Sequence, residues 1–355
     1  MTGWGWGKGR ARAVAFAASA LLGAPLLGRA VLESSTRQRT VVRAEGDVDT
    51  IARSDTDRVH VESAAPTRLS MRNVDFHLAD SVVLRIRSLD GELHAVRRGV
   101  VDLDDKTSYV TFVDTAVVGL TGQDITNLLN RHVFAYRGAP LRHLKVEIRG
   151  DELVLSGTLH KGVDIPFTIA ARPSLTANRR IRLHPTRIRI FGINGMRLMS
   201  ALGLDLHKML DLSRAKGIAV EGNDLLLAPL IVLPPPAIQG QIVALRIEGG
   251  ELVQVFGARD GTGAVSRGPL TPPDSSARNF MFYRGGTLHF GKLYMTDAEL
   301  LIMDQDESNA FDFDNEHYQR QLVSGHSRTL PDLGLEVYMP DARNAAGGQT
   351  RRPRS

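Results

Sequence analysis

The stretch Leu144–Leu159, LKVEIRGDELVLSGTL, decides the fold class. Leu144, Val146 and Ile148 alternate with Lys145, Glu147 and Arg149. Gly150-Asp151 supplies a turn, and Leu153 and Leu155 return on the far side. Successive side chains of a strand point to opposite faces, so this hairpin has one apolar and one charged face. Something must cover the apolar one.

The same pattern spreads in both directions. Val163, Ile165, Phe167 and Ile169 read as a third strand, and Ile181, Leu183, Ile188 and Ile190 extend the meander. Ile218 and Val220, a Gly222-Asn223-Asp224 turn, and Leu225 and Leu227 form another hairpin. Val243, Leu245 and Ile247 pair across Gly249-Gly250 with Leu252 and Val255. Upstream, Val74, Phe76 and Leu78 and then Val82, Leu84 and Ile86 alternate, and Asp90-Gly91 reads as a tight turn. Downstream, 258–278 reads as a long loop, Phe280–Met303 as strands and Phe311–His326 as a short helix with irregular flanks.

Two segments carry helical spacing. In Thr121–Phe134, Thr121 is a plausible N-cap with Asp124 three residues on, and Ile125, Leu128, Leu129 and Val133 share a face. Asn194–Leu212 carries Met196, Met199, Leu202, Leu206 and Met209 as one stripe. The expected fold is therefore α+β and β-rich, with a curved antiparallel meander packed on two amphipathic helices.

Composition bounds the function. The apolar fraction of 43% is that of a globular chain, and the absence of cysteine excludes disulfides, thiolate zinc sites and a cysteine nucleophile. The net charge of +5 sits in the tails. Residues 1–30 hold Lys8, Arg10, Arg12 and Arg29 with no acid, and residues 341–355 hold Arg343, Arg351, Arg352 and Arg354 against Asp341. Removing these eight bases and one acid from totals of 44 and 39 leaves a body close to neutral, which argues against nucleic acid as a partner.

The N-terminus reads as an export element. A basic flank precedes the uncharged run Ala13–Leu27, which has the length of a signal-peptide core, and Gly28-Arg29-Ala30 offers small residues for cleavage. Extended to Leu32, the run is a marginal membrane anchor instead. Residues 1–32 are thus expected to be a signal peptide or anchor, 33–66 a polar linker, 67–340 the exported domain and 341–355 a disordered basic tail. The expected location is the periplasm or cell envelope.

Two segments carry a family likeness. These are Leu144–Leu159, with its closing Ser156-Gly157-Thr158, and Gly217–Leu227 with the following Ile238–Ile242 strand entry. Together with the helix–meander–helix order they resemble bacterial envelope proteins of the tubular lipid-binding, LmeA-like type. A looser resemblance is to AsmA-type envelope proteins. The likeness covers Val100–Phe256, and Phe280–Pro340 has no counterpart in it. It implies a strongly curved sheet wrapped on a long helix, with lipid tails between them, and it carries over no catalytic residue.

Candidate sites follow. Met196, Met199, Leu202, Leu206 and Met209, with Val146, Ile148 and Phe167 on the strands, are expected either to line a lipid cavity or to form a solid core; methionine suits an adaptable apolar surface. Lys161, Arg187 and Arg189 are candidates for head-group contact, or for a solvated face. His160, Lys161 and Asp164 read as a polar cluster or a plain hairpin turn. The acidic run Asp304, Asp306, Glu307, Asp312, Asp314 and Glu316 lacks the Gly and Glu of a calcium loop, since Asn309 and Asn315 hold those positions, and reads as a solvated loop. There is no P-loop, nucleophile elbow, dinucleotide fingerprint or metal-ligand spacing, so no cofactor and no metal are expected. The expected function is non-catalytic binding of a phospholipid or similar amphiphile. An envelope scaffold without a ligand is the alternative, and a protein partner fits either.

Overall fold

The computed structural model describes residues 40–43, 65–79, 81–96, 99–160, 162–195, 212, 214–257 and 268–345. The methionine-bearing segment 196–211, Lys161, residues 1–32 and the tail beyond 345 lie outside the described residues, as do residues 258–267 of the expected loop 258–278. Among the described residues no helix is long and apolar enough to cross a membrane.

The chain opens with β1 (Thr40–Arg43), β2 (Thr67–Ala79), β3 (Val82–Ala95), β4 (Val101–Asp102) and β5 (Tyr109–Thr121). Helix α1 (Gly122–Leu128) runs into a π-helical turn, Leu129–Val133. Then come β6 (Leu141–Arg149), β7 (Glu152–His160), β8 (Asp164–Leu175), β9 (Ile181–Ile190), β10 (Ile193–Asn194), β11 (Ile218–Glu221) and β12 (Asp224–Leu227). The short helix α2 (Pro229–Val232) leads to β13 (Ala237–Gln239), β14 (Gln241–Glu248) and β15 (Glu251–Gly257). The last part holds β16 (Phe280–Arg284), β17 (Thr287–Phe290), β18 (Leu293–Thr296), β19 (Glu299–Asp304) and β20 (Phe311–Asp314). Helix α3 (Tyr318–Ser324), β21 (His326–Thr329), β22 (Leu335–Met339) and α4 (Ala342–Ala345) complete it.

These strands form three sheets. The large one has eleven strands in the order β14-β15-β5-β3-β2-β16-β19-β22-β21, with β13 beside β5 and β20 beside β2. A second has seven, β11-β12-β9-β8-β7-β6 with β10 beside β9, and a small one is β1-β18-β17-β4. Most pairs are antiparallel; β13–β5, β20–β2, β22–β19 and β4–β17 are parallel. The protein is β-rich, as its alternation demands.

Among the described residues the apolar face is covered largely by another sheet. The long meander divides between two sheets: β5 and β13–β15 join the large one, while β6–β12 make the second. Sheet faces sheet, and α1 is the one amphipathic helix between them that the described residues show. The reason is long-range pairing. β15 bonds to β5 rather than to β12, so the chain leaves the large sheet after Thr121 and rejoins it at Ala237. The other half of the same large-sheet face packs against the small sheet, with Met71, Met281 and Leu300 meeting Leu288, Phe290 and Met295 in one cluster. On the reverse face Leu270 covers Phe280, Phe282, Leu301 and Met303.

Local chemistry explains several joints. Gly150 takes φ +60 in the β6–β7 turn, where a side chain would be strained. Asp90-Gly91, by contrast, is no turn: β3 runs through it, with a register shift against β5. A Cβ at Gly91 would overlap the backbone carbonyl of Phe112, so this glycine serves close strand approach. Thr40–Arg43, inside the expected linker, is a strand paired with Leu293–Thr296.

The acidic run is also not simply solvated. Because β20 docks beside β2, Asp312 meets His77 at 2.5 Å, and Glu316 reaches Lys106 at 2.9 Å. Asp314 accepts the backbone N–H groups of Glu316 and His317. Asp304 is buried, accepting from the Asp306 N–H at 2.9 Å and Asn279 Nδ2 at 3.3 Å. Burial pushes its carboxyl up to about 6, although those two donors pull the other way.

Two expectations follow. Gly91→Ala forces backbone apart at the centre of the large sheet and lowers stability by about 2 kcal/mol or more, read by chemical denaturation. Asp304 holds its proton more tightly folded than unfolded, so its contribution declines as pH rises from about 4 to about 6. The thermal midpoint of Asp304→Asn, relative to the native chain, should therefore climb across that window and level off above it.

Candidate functional site

Helix α1 is built to sit between the two sheets. Its N-cap is a reciprocal box: the Asp124 N–H donates to Thr121 Oγ1 at 3.2 Å and the Thr121 N–H donates to Asp124 Oδ2 at 2.9 Å. The Thr121 hydroxyl also bonds Asp124 Oδ2. The same buried carboxylate accepts from Arg85 Nη1 at 2.6 Å and from the Val83 N–H at 3.2 Å, both on β3. Arg85 continues to Glu251 on β15 at 3.4 Å. The helix is thereby fixed to the large sheet.

Thr126 on α1 and Asn130 in the π-helical turn that follows reach the second sheet. Thr126 Oγ1 accepts the Val146 N–H at 2.8 Å and donates to the Gly122 carbonyl at 2.7 Å. Asn130 accepts the Leu144 N–H at 3.0 Å and donates to the Leu144 carbonyl at 2.7 Å. β6 is an edge strand, and these bonds satisfy backbone groups that an edge leaves open. Gly122 makes room for this approach, because a Cβ there would come within 2.5 Å of the Val146 carbonyl oxygen.

The apolar side of α1, with Ile125, Leu128 and Leu129, then roofs a cavity of about 150 Å³ between the sheets. One wall is Leu84, Ile86, Val113, Ala116 and Val118 on β3 and β5, with Leu252 and Phe256 on β15. The opposite wall is Val146, Leu153, Ile169, Ala171, Ile181 and Leu225 on the second sheet. Leu212 and the Pro229–Leu233 segment add further apolar surface. Gln254 is the one polar side chain among the described residues that line it.

Of the lining residues expected from sequence, Val146 borders the cavity. Ile148 packs beside it with Val146, Leu153 and Leu252, and Phe167 lies in the neighbouring cluster around Ile169 and Ile188. Met196, Met199, Leu202, Leu206 and Met209 lie outside the described residues. The large-sheet wall was missed, since local alternation marks a face as apolar but does not say which sheet it faces.

Arg187 and Arg189 are exposed on the solvent side of β9, opposite Ile188 and Ile190, so the sheet stands between them and the cavity. His160 Nδ1 lies 2.6 Å from Asp164 Oδ1 across an exposed hairpin turn, and that hydrogen bond holds the Asp164 carboxyl below its usual range. Away from the cavity, Asp102, Asp104 and His289 are the described residues close enough to share an ion. Their atoms already have protein partners: His289 Nδ1 is 2.8 Å from Asp102, and Asp104 Oδ1 accepts from Tyr318 at 2.5 Å and Gln319 at 2.6 Å.

Comparison of the chain with protein-family models, curated proteins and solved structures finds no match.

The Asp124 carboxylate carries the expected weak point. Asp124→Ala leaves Arg85 without its nearest counter-charge and α1 without its box, and should cost about 3 kcal/mol in denaturant unfolding, whereas Asp124→Asn, which keeps an acceptor, costs less.

Proposed function

We propose that this chain is a non-catalytic binder of an amphiphile, which places a hydrocarbon chain in the cavity between the two sheets. The cavity's apolar lining carries the reading. Interiors of proteins are close-packed, and a void of about 150 Å³ forgoes about 4 kcal/mol of packing on the scale of core-truncation mutants. That is a large share of a domain's net stability, typically about 5–15 kcal/mol. A few methylene groups, each worth about 0.8 kcal/mol on burial, recover it. Such a space excludes water and accepts hydrocarbon.

Its size narrows the ligand. Pockets for whole drug-sized molecules run to about 300–1,000 Å³. This one takes part of a single chain, so a phospholipid would engage through one tail with its head group outside. Gln254 supplies neither an acid nor a base, which supports binding rather than turnover. The N-terminal pattern and the resemblance to LmeA-like proteins support the bacterial cell envelope as the setting.

A second reading, an envelope scaffold, draws on one observation. β21 ends the large sheet, and all four of its residues are exposed. Such an edge can receive a strand from a protein partner.

The test is uptake of a soluble fluorescent fatty acid by the purified full chain, with native mass spectrometry for co-purified amphiphile. Ala116→Leu and Ala171→Leu fill the cavity from opposite walls. Each should weaken uptake at least about tenfold while leaving the thermal midpoint unchanged or raised. Absence of any bound amphiphile, or uptake indifferent to both substitutions, rejects the reading.

A further inference from the structure

Nine large apolar side chains are exposed among the described residues, and three of them gather at one end of the second sheet. Val163, 64% exposed, sits in the β7–β8 turn; Phe191, 61%, and Ile193, 64%, sit at the β9–β10 turn. The register puts these turns together. Phe167 pairs with Ile190, and the Phe191 N–H donates to the Pro166 carbonyl at 3.1 Å. Scattered exposed apolar residues are ordinary, but a group on adjacent turns is not.

Phe191 is the most telling. Phe191-Gly192 connects β9 and β10 with φ +50 and +77, the two-residue hairpin turn that favours Asn-Gly or Asp-Gly. A bulky aromatic residue at positive φ is an outlier, and this one gains little burial in return. Folding alone does not account for it.

The charge at this end is one-sided. Arg142 is the second residue of β6, Arg189 lies two residues before Phe191, and Arg137 lies in the loop whose Pro140 carbonyl accepts the His160 N–H. All three are exposed, and none is ion-paired among the described residues. Lys161 adds a fourth positive charge in sequence. The one acid of the turns, Asp164, is engaged by His160.

We infer that this end of the second sheet docks on an anionic lipid membrane surface, with Val163, Phe191 and Ile193 entering the interface and Arg137, Arg142 and Arg189 meeting acidic head groups. Apolar tips beside arginines that have no ion pair among the described residues complement that surface, whose negative potential draws basic residues. A protein partner would need no excess of positive charge. The inference goes beyond the cavity reading and stands without it. The two also fit: Ile165 and Ile190 at this end belong to the apolar cluster that continues through Ile169 and Leu141 to the cavity wall.

The chain contains no cysteine, so a single dye reports one position in the full-length protein. Val163→Cys carries an environment-sensitive fluorophore, and Val323→Cys on α3, 86% exposed, serves as the control. Phosphatidylcholine vesicles containing phosphatidylglycerol should shift the emission at position 163 to the blue and leave 323 unmoved. Plain phosphatidylcholine should do much less, and high salt should suppress the shift. Adding Arg142→Gln and Arg189→Gln should raise the vesicle concentration for half-maximal shift roughly thirty-fold, about five-fold per charge. Phe191→Asn, which suits the turn, should weaken the shift with the thermal midpoint unchanged or higher. No shift at 163, equal shifts at 163 and 323, a shift insensitive to these substitutions, or one that appears with protein concentration in the absence of vesicles overturns the inference. Fatty-acid uptake is read separately: lost uptake with an intact vesicle shift rejects the cavity alone, and the reverse rejects docking alone.

Discussion

The bracket formed by α1 sets the spacing of the two sheets. On one side the Asp124 carboxylate gathers Thr121, Arg85 and the Val83 N–H; on the other, Thr126 and Asn130 complete the open edge of β6. A seven-residue helix has little stability of its own in water. It persists because both ends of its polar surface are committed to sheets that cannot move independently of it. Its apolar residues then face inward at a fixed height. Two sheets packed directly would interdigitate at about 10 Å; a helix wedged along one margin opposes that closure and leaves room beneath it.

The cavity follows from this geometry rather than from missing side chains. Its walls are rich in Leu, Ile and Val, which fill space well when opposing layers can approach. Ala116 and Ala171 are the small residues on facing walls. The energetic cost of the void is borne by a large body of well-packed core elsewhere. Met281, Phe290, Leu300 and Phe311 are almost wholly excluded from water beside the small sheet and β20.

Much of this was legible in the residues. The 144–159 hairpin folds as its alternation demands, with Val146 and Leu153 inward, and the Thr121–Asp124 box caps a helix where the spacing predicts one. What failed to show were relations between distant segments. Asp90-Gly91 has the composition of a turn, yet β2 and β5 flank it on both sides and demand a continuous strand with a glycine at the tight crossing. The acidic run has the composition of a solvated loop, yet β20 inserts beside β2 and buries part of it. For the site, Val146 on the second-sheet wall could be named from local pattern. The facing wall depends on β5 pairing with β15, more than a hundred residues later, which no periodicity within either strand encodes.

The order of the strands has a consequence for how the chain reaches its final form. β2 bonds to β16 through pairs such as Arg72 with Phe280, so the central strand of the large sheet waits for a neighbour some two hundred residues downstream. The segment from β6 to β12 is a self-paired excursion that can assemble while the ribosome is still delivering the rest. Until the later strands arrive, however, β2 and β5 each present one long unpaired backbone edge and the sheet a greasy surface. High contact order of this kind slows folding and prolongs the time for which that surface is open to aggregation.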